Sequence, residues 1–236
     1  MVKKAIWLFL LCFVAQVSEA QVTGRLGFSA GPTFGLTDDD QVLSQSFFTA
    51  SRAGVQGGIN GSFTFGERIW SRVDVNYSRL NFAFRQNANA NFGVDMRWGM
   101  SNLELPVKIG FGGFLGSLRH REFIGLAYTL PLAFQADLEL TGDSAAAWKP
   151  QIIQQYQSKG YLSYMAGMEI GTEFDNDGAL FFGLSFRWNP QQQYSFQFDS
   201  QRFNPQVAAT NGNFVMLEIT YYLPRFSYWF KRDFTY

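Results

Sequence analysis

The chain has 236 residues, and its 19 Lys+Arg balance its 19 Asp+Glu, so the formal charge is zero. That balance excludes a strongly basic nucleic-acid binder and a protein built around an acidic tail. Only 16% of residues are charged while 18% are aromatic, and mean hydropathy is near neutral, which excludes a bundle of transmembrane helices and points to alternation of polar and apolar residues.

In chain order, the first element is a targeting segment. Lys3 and Lys4 form a basic start, Ala5 to Val17 is an apolar core broken only by Gln16, and Ser18-Glu19-Ala20 supplies small residues around a cleavage point. Residues 1–20 therefore read as a signal peptide cut after Ala20. The apolar core is shorter than the ~20 residues a spanning helix needs. Cys12, the one cysteine, lies inside this core behind Leu11. That is the wrong context for lipidation, and cleavage removes disulfides, thiolate catalysis and Cys-ligated metals from consideration.

The remainder alternates with period two, as half-buried strands do. The first segment sets Val22, Leu26, Phe28, Ala30, Pro32 and Phe34 against Thr23, Arg25, Ser29 and Thr33. The second sets Val55, Ile59, Phe63 and Phe65 against Gln56, Asn60, Ser62 and Thr64. The third sets Val73, Val75 and Tyr77 against Arg72, Asp74 and Asn76, then reverses parity so that Leu80, Phe82 and Phe84 are apolar. One extra residue near Ser78 and Arg79, a β-bulge, would keep these on the apolar face. The fourth also reverses, from even Val94, Met96, Trp98 and Met100 to odd Leu103, Leu105, Val107, Ile109 and Phe111.

The fifth segment keeps every even residue from Ile124 to Leu140 apolar, with Gln135, Asp137 and Glu139 opposite. The sixth sets Leu162, Tyr164, Met168 and Ile170 against Ser163, Glu169 and Glu173. The seventh sets Leu180, Phe182, Leu184, Phe186 and Trp188 against Ser185, Arg187 and Asn189, and resumes at Tyr194, Phe196 and Phe198. The eighth sets Val215, Leu217, Ile219, Tyr221 and Leu223 against Glu218 and Thr220.

Eight strands of this length exceed the roughly 5–6 residues usual in soluble sheets and suit tilted membrane strands of about 9–11. The connections near 36–51, 86–93, 141–159 and 199–212 are longer and polar. Those at 66–68 and 175–178 are tight, and that at 114–121 is intermediate. Short periplasmic turns and longer outer loops give this rhythm. Phe63, Phe65, Trp70, Phe111, Phe174, Phe182 and Tyr221 would form an inner aromatic girdle. Phe34, Phe84, Trp98, Tyr164 and Phe198 would form an outer one. The expected fold is an all-β, eight-stranded antiparallel transmembrane up-and-down barrel over residues 21–223. A soluble sandwich or lipocalin-like barrel is the rival.

Asn102-Leu-Glu-Leu-Pro-Val-Lys-Ile-Gly-Phe111 resembles the "LEIPLLLK" strand of the PorT-like outer-membrane β-barrel family of Bacteroidetes. So do the early glycines, Gly27, Gly31, Gly35, Gly54, Gly58 and Gly61, and Ala179-Leu-Phe-Phe-Gly-Leu-Ser-Phe-Arg187. The resemblance runs to about Leu223. It implies a small OmpA- or OmpX-type barrel, some of whose relatives serve secretion or gliding machinery. The long polar N-terminal extension expected of PorT itself is missing.

Candidate chemistry is sparse. His120 is the single histidine, with Ser117 and Glu122 nearby, so any Ser-His-acid triad must use it. It falls in an expected periplasmic turn, Gly116 to Glu122, where a solvated histidine beside Arg119 and Arg121 is the plainer reading. Asp38-Asp39-Asp40 reads as a polar outer loop. Glu173 to Gly178 starts like an EF-hand, but the twelfth position is Leu184, and Asp177-Gly178 signals a hairpin. No catalytic, cofactor or metal site is expected.

The structured signal is the polar face: Arg25, Arg72, Asp74, Glu104, Lys108, Asp137, Glu139, Glu169, Arg187 and Glu218. Inside a narrow barrel these should pair as a plug rather than line a conducting path. Residues 224–236 form an aromatic, basic tail in which Tyr228, Trp229, Phe230, Lys231 and Arg232 could meet an interface or a periplasmic partner. The expected partners are outer-membrane lipid and proteins of the outer membrane or periplasm, with no nucleic acid. A non-enzymatic structural or accessory barrel is expected, with a small channel or a lipid-modifying enzyme as alternatives.

Overall fold

The computed structural model describes residues 22–36, 47–66, 68–88, 92–141, 151–156, 159–190, 194–200 and 203–224. The expected signal peptide, Asp38 to Asp40 and the tail residues Tyr228, Trp229, Phe230, Lys231 and Arg232 lie outside the described residues. The strands are β1 (Val22–Leu36), β2 (Phe47–Phe65), β3 (Ile69–Ala88), β4 (Phe92–Leu115), β5 (Leu118–Thr141) and β6 (Gln151–Tyr156). They continue with β7 (Tyr161–Glu173), β8 (Ala179–Trp188), β9 (Tyr194–Ser200), β10 (Phe203–Thr210) and β11 (Asn213–Tyr222).

Eight strands close into a barrel in the order β1-β2-β3-β4-β5-β7-β8-β11, and every neighbouring pair is antiparallel. The remaining three, β6, β9 and β10, form a separate sheet in the order β10-β9-β6. Tyr194 to Phe198 therefore do not prolong the seventh barrel strand. They belong to β9, and parts of the expected loops 141–159 and 199–212 pair with it as β6 and β10.

Lateral neighbours define the barrel's stagger. From Arg25 they run through Ser62, Arg72, Lys108, Gly125, Met165, Arg187 and Phe214 and return to β1 at Gly35. A shift of about ten residues over eight strands tilts them by about 41°, using 3.3 Å per residue and 4.8 Å between strands.

Outward positions are apolar over a band. On β3 it runs from Ile69 to Tyr77, interrupted by Ser71, on β4 from Phe111 to Leu103, and on β8 from Leu180 to Trp188. Eight residue steps at that tilt rise about 20 Å between end Cα atoms, which side chains extend toward the ~25 Å apolar band of membrane barrels. Ile124 and Phe111 are 67% and 66% exposed, which hydrocarbon tolerates and water does not.

Above this band the structure departs from the expected bulge. Register between β3 and β4 runs unbroken past Ser78 and Arg79, so parity does not change there. Leu80 and Phe82 on β3, and Trp98 and Met100 on β4, instead point into the barrel and are almost fully buried. Arg79 takes the outer face. The hydropathy flips because the outer solvent changes from lipid to water while the backbone keeps its phase.

On β5 the reverse occurs. Its residues stay apolar at even positions, but the register shifts between Ser101 and Asn102, where β5 carries one extra residue. Met100 pairs with Phe134, and Gln135 lies opposite Gly99. A second shift falls on β2, between Arg52 and Val55. The bulges therefore lie in β5 and β2, not in β3.

Trp70 and Trp98 likewise face the lumen, not the girdles. The outward aromatics include Phe63, Phe111, Phe174, Phe182 and Tyr221 toward the turn end, and Phe34, Tyr77, Tyr128, Tyr164, Phe186 and Trp188 toward the loop end. Tyr164 stacks on Trp188 with centroids 5.6 Å apart. The turn at Gly116 and Ser117 is tighter than expected, and Gly116 has φ +64°, as the first central residue of a type II′ hairpin requires.

Closure between β1 and β11 leaves no room at Gly31, where an added Cβ would lie 1.7 Å from the Leu217 carbonyl oxygen. At Gly61 it would meet only Phe63, at 4.0 Å. Gly31→Ala should lower stability by about 1–3 kcal/mol through overpacking, whereas Gly61→Ala should change little. Urea unfolding of both variants in detergent micelles checks this.

Candidate functional site

The candidate site is the lumen. Alternate residues of all eight barrel strands project into it, and an eight-stranded barrel is only wide enough for side chains to fill. Among the described inward residues, the cations are Arg25, Arg72, Lys108, Arg119, Arg121 and Arg187, and the carboxylates are Asp74, Glu104, Glu169, Glu173 and Glu218. Each carboxylate here meets at least one cation, as charges withdrawn from water must.

The groups form layers from the turn end upward. At the mouth, Glu173 on β7 accepts from Arg25 of β1 at 3.1 Å and from Arg119 of β5 at 2.5 Å. Above it, the Arg121 guanidinium is wrapped by aromatic rings. Its carbon lies 4.1 Å from the Phe181 centroid, 5.3 Å from Trp70 and 5.5 Å from Tyr222. Glu169 is 3.8 Å away, so the ring faces supply much of the solvation that this buried cation lacks.

The centre is organised by Arg72. Its Nε donates to Asp74 Oδ1 at 2.5 Å, and its Nη1 lies 2.9 Å from Glu169 and 2.8 Å from Glu218. Thr220 accepts from the same Nη1 at 3.2 Å and donates to Glu218 at 2.9 Å. Lys108 completes the cluster, 3.1 Å from Asp74 and 3.6 Å from Glu218, with its ammonium 5.0 Å from the Phe123 ring centroid.

Higher still, Glu104 accepts from Arg187 and, at 2.6 Å, from Ser78. The Arg187 guanidinium lies 4.9 Å from the Phe214 ring. Above this pair the filling turns apolar, with Leu80, Phe82, Trp98, Met100 and Tyr161 all buried. Phe82 stacks on Trp98 with centroids 5.6 Å apart. An added Cβ at Gly35 would strike the Phe82 ring at 2.5 Å, so that glycine makes room for the cap.

Eight of the ten polar-face charges read from sequence lie in this lumen: Arg25, Arg72, Asp74, Glu104, Lys108, Glu169, Arg187 and Glu218. Asp137 and Glu139 do not keep that phase. The β5 bulge pairs their positions with Arg97 and Asp95, on the outward parity of β4, and their side chains lie outside the described residues. Arg119 and Arg121, expected in a solvated turn, are inward residues of β5. The odd-numbered parity of that strand, carried back from Phe123, was the signal for them.

His120 also lies in β5 rather than in a turn, paired with Gly113 and Ile170. Its Nδ1 has no hydrogen-bond partner, so neither Ser117 nor Glu122 orients the ring through it. Phe174 to Gly178 is a hairpin turn, closed by a Phe174 N–H donating to the Gly178 carbonyl at 2.8 Å. Among the described residues no group of three His, Cys, Asp or Glu side chains is placed to hold a metal ion.

No protein-family model and no curated protein matches the chain. Solved structures do. The outer membrane protein OprG from Pseudomonas aeruginosa is similar with a TM-score of 0.50 at 10% identity, over 87% of this chain and 98% of that one. Ail, the attachment invasion locus protein of Yersinia pestis, solved with the heparin analogue sucrose octasulfate, has a TM-score of 0.36 at 9% identity. That match covers 86% of this chain and 99% of Ail. The fold is the closed eight-stranded barrel found in outer-membrane proteins.

Removing Arg72 would leave Asp74, Glu169 and Glu218 short of their shared donor. Arg72→Met should therefore cost about 3–5 kcal/mol, as breaking a buried pair does. Arg187→Met should cost more alone than when combined with Glu104→Leu. Denaturant titration of the single and double variants, read as a double-mutant cycle, measures both effects.

Proposed function

We propose that this protein is a non-enzymatic barrel of the outer membrane that acts as a structural or accessory subunit. The single observation that carries this is the filled lumen. Three ion-pair layers and an aromatic layer lie beneath an apolar cap of Leu80, Phe82, Trp98 and Met100. A barrel with such an interior works through its surfaces. These are the outer loops, including the β6-β9-β10 sheet, the lipid-facing wall and the C-terminal tail. The resemblance to PorT-like barrels fits an accessory role in a secretion or assembly machine.

A small channel is the second reading, and one observation favours it. Gln56, Asn60 and Asn76 are buried, and neither amide atom of any of them meets a protein partner. Such groups are satisfied by internal water, so the β2–β3 wall of the lumen is the place for a wet path.

Two measurements separate these readings. Reconstituted in planar bilayers, the full-length protein should give no resolved conductance steps, and reproducible unitary steps would establish the channel. Gentle extraction from native membranes should yield stoichiometric protein companions. A barrel that purifies alone, both as the full chain and as a chain ending at Leu223, would sink the accessory role.

A further inference from the structure

The outer face of the barrel carries a charge asymmetry that the filled lumen does not explain. Just above the apolar band, β2 and β3 present Arg52 and Arg79 outward. Arg79 lies next to Val55 and Ser101, and Arg52 lies next to Asn81, so the two arginines are diagonal neighbours across one strand pair. Tyr77, the last apolar outward residue of β3, sits directly below and donates to Ser101 at 2.9 Å.

The Arg79 side chain turns upward, away from the band. Its Nη2 donates to Gln135 at 3.3 Å, and a Cβ added to Gly99 would lie 3.6 Å from its Nε. The guanidinium therefore rests over Gly99, in the row that holds Arg52 and Asn81. Asn81 is fixed there by donating to the Ala53 carbonyl at 2.9 Å. Two residues before β7 begins at Tyr161, the exposed Lys159 stands at the same rim.

The acids nearest in register are at Asp137, which pairs with Arg97 on the next row, and at Asp95 and Glu139 beyond it. All stand further from the band. At the opposite rim the exposed charges among the described residues are mainly acidic: Glu122, Asp175 and Asp177, with Arg68. Lipid phosphates lie at the height where the apolar band ends, and arginine matches phosphate geometry through paired N–H donors.

We infer that the ledge formed by Arg52, Arg79 and Asn81 binds the phosphate of an outer-leaflet lipid headgroup. The inference rests on the membrane-spanning reading of the apolar band. Phosphate reaches this height from two sources, a phosphorylated glycolipid or an anionic phospholipid. Either would be held by the two guanidinium groups, with the Asn81 and Gln135 amides beside them and the acyl chains against Tyr77, Val55 and Leu103.

The test uses full-length protein in detergent, washed and then offered bisphosphorylated lipid A, its dephosphorylated form, or phosphatidylglycerol. Bound lipid per barrel is read by native mass spectrometry. Wild-type protein should retain at least one phosphorylated lipid and release the dephosphorylated form. Arg52→Gln combined with Arg79→Gln should reduce that retention about tenfold or more, as loss of charge-assisted contacts to phosphate implies. The phosphorylated lipid that loses binding identifies the source.

Equal retention by wild-type and double-variant barrels, or no preference for phosphorylated lipid, overturns the proposal. Gel mobility with and without boiling, and insertion into liposomes, should be the same for both proteins. A chain that failed to insert at all would instead overturn the membrane-spanning reading.

Discussion

Charge neutralisation inside a narrow bore is the constraint on which the rest of the structure depends. The lumen leaves its ionic groups little bulk water, so each must meet an opposite charge, a ring face or a hydroxyl. Arg72 shows how tightly the demand couples the wall. It sits on β3, but its partners come from β3, β7 and β11. Those strands can satisfy it only if the barrel is closed and its stagger brings Glu169 and Glu218 to the height of Arg72. The ion cluster and the register therefore require one another.

The cations are dispersed among different kinds of partner. Arg25 and Arg119 share one carboxylate at the mouth, Arg121 is surrounded by aromatic faces, and Lys108 bridges Asp74 and Glu218. Giving each of the six inward cations a carboxylate of its own would need more acids than the five described in the lumen. Rings of Phe181, Trp70 and Tyr222 solve that problem at the turn end while filling volume. At the other end no charges remain inward among the described residues, and Phe82, Trp98 and Met100 pack as a small apolar core.

That upper core exposes a general feature of strands longer than the membrane is thick. Within hydrocarbon, outward residues are apolar and inward ones polar. Above it, the outer face meets water, and the interior becomes the dry side. The barrel achieves the inversion in two ways. On β3 and β4 the residue types change phase while the backbone runs straight, and on β5 the residue types keep phase while a bulge turns the backbone over. Both place Arg79 and Gln135 outside and Leu80 and Met100 inside. The same inversion sets Arg52 and Arg79 at the edge of the band, where lipid headgroups begin.

By itself the sequence determined the strand-rich class, eight barrel strands, the closed antiparallel arrangement and most of the lumen charges. Alternation is a local property, and side chains of an extended chain point to opposite faces whatever the distant partners are. It also determined the tight turns at Gly66 and Gly178, since turn chemistry is local too. The tertiary structure decided what alternation cannot encode. A parity change such as that at Leu80 or Trp98 has two causes, a bulge or a change of solvent, and an unbroken pattern such as that through Asp137 hides a bulge; only strand pairing distinguishes them. Pairing also removed Tyr194 to Phe198 from the barrel, because β9 finds its partners in β6 and β10. It brought Arg121 into its cage of rings from β3, β8 and β11, an arrangement set by closure across the bore rather than by any run of neighbouring residues.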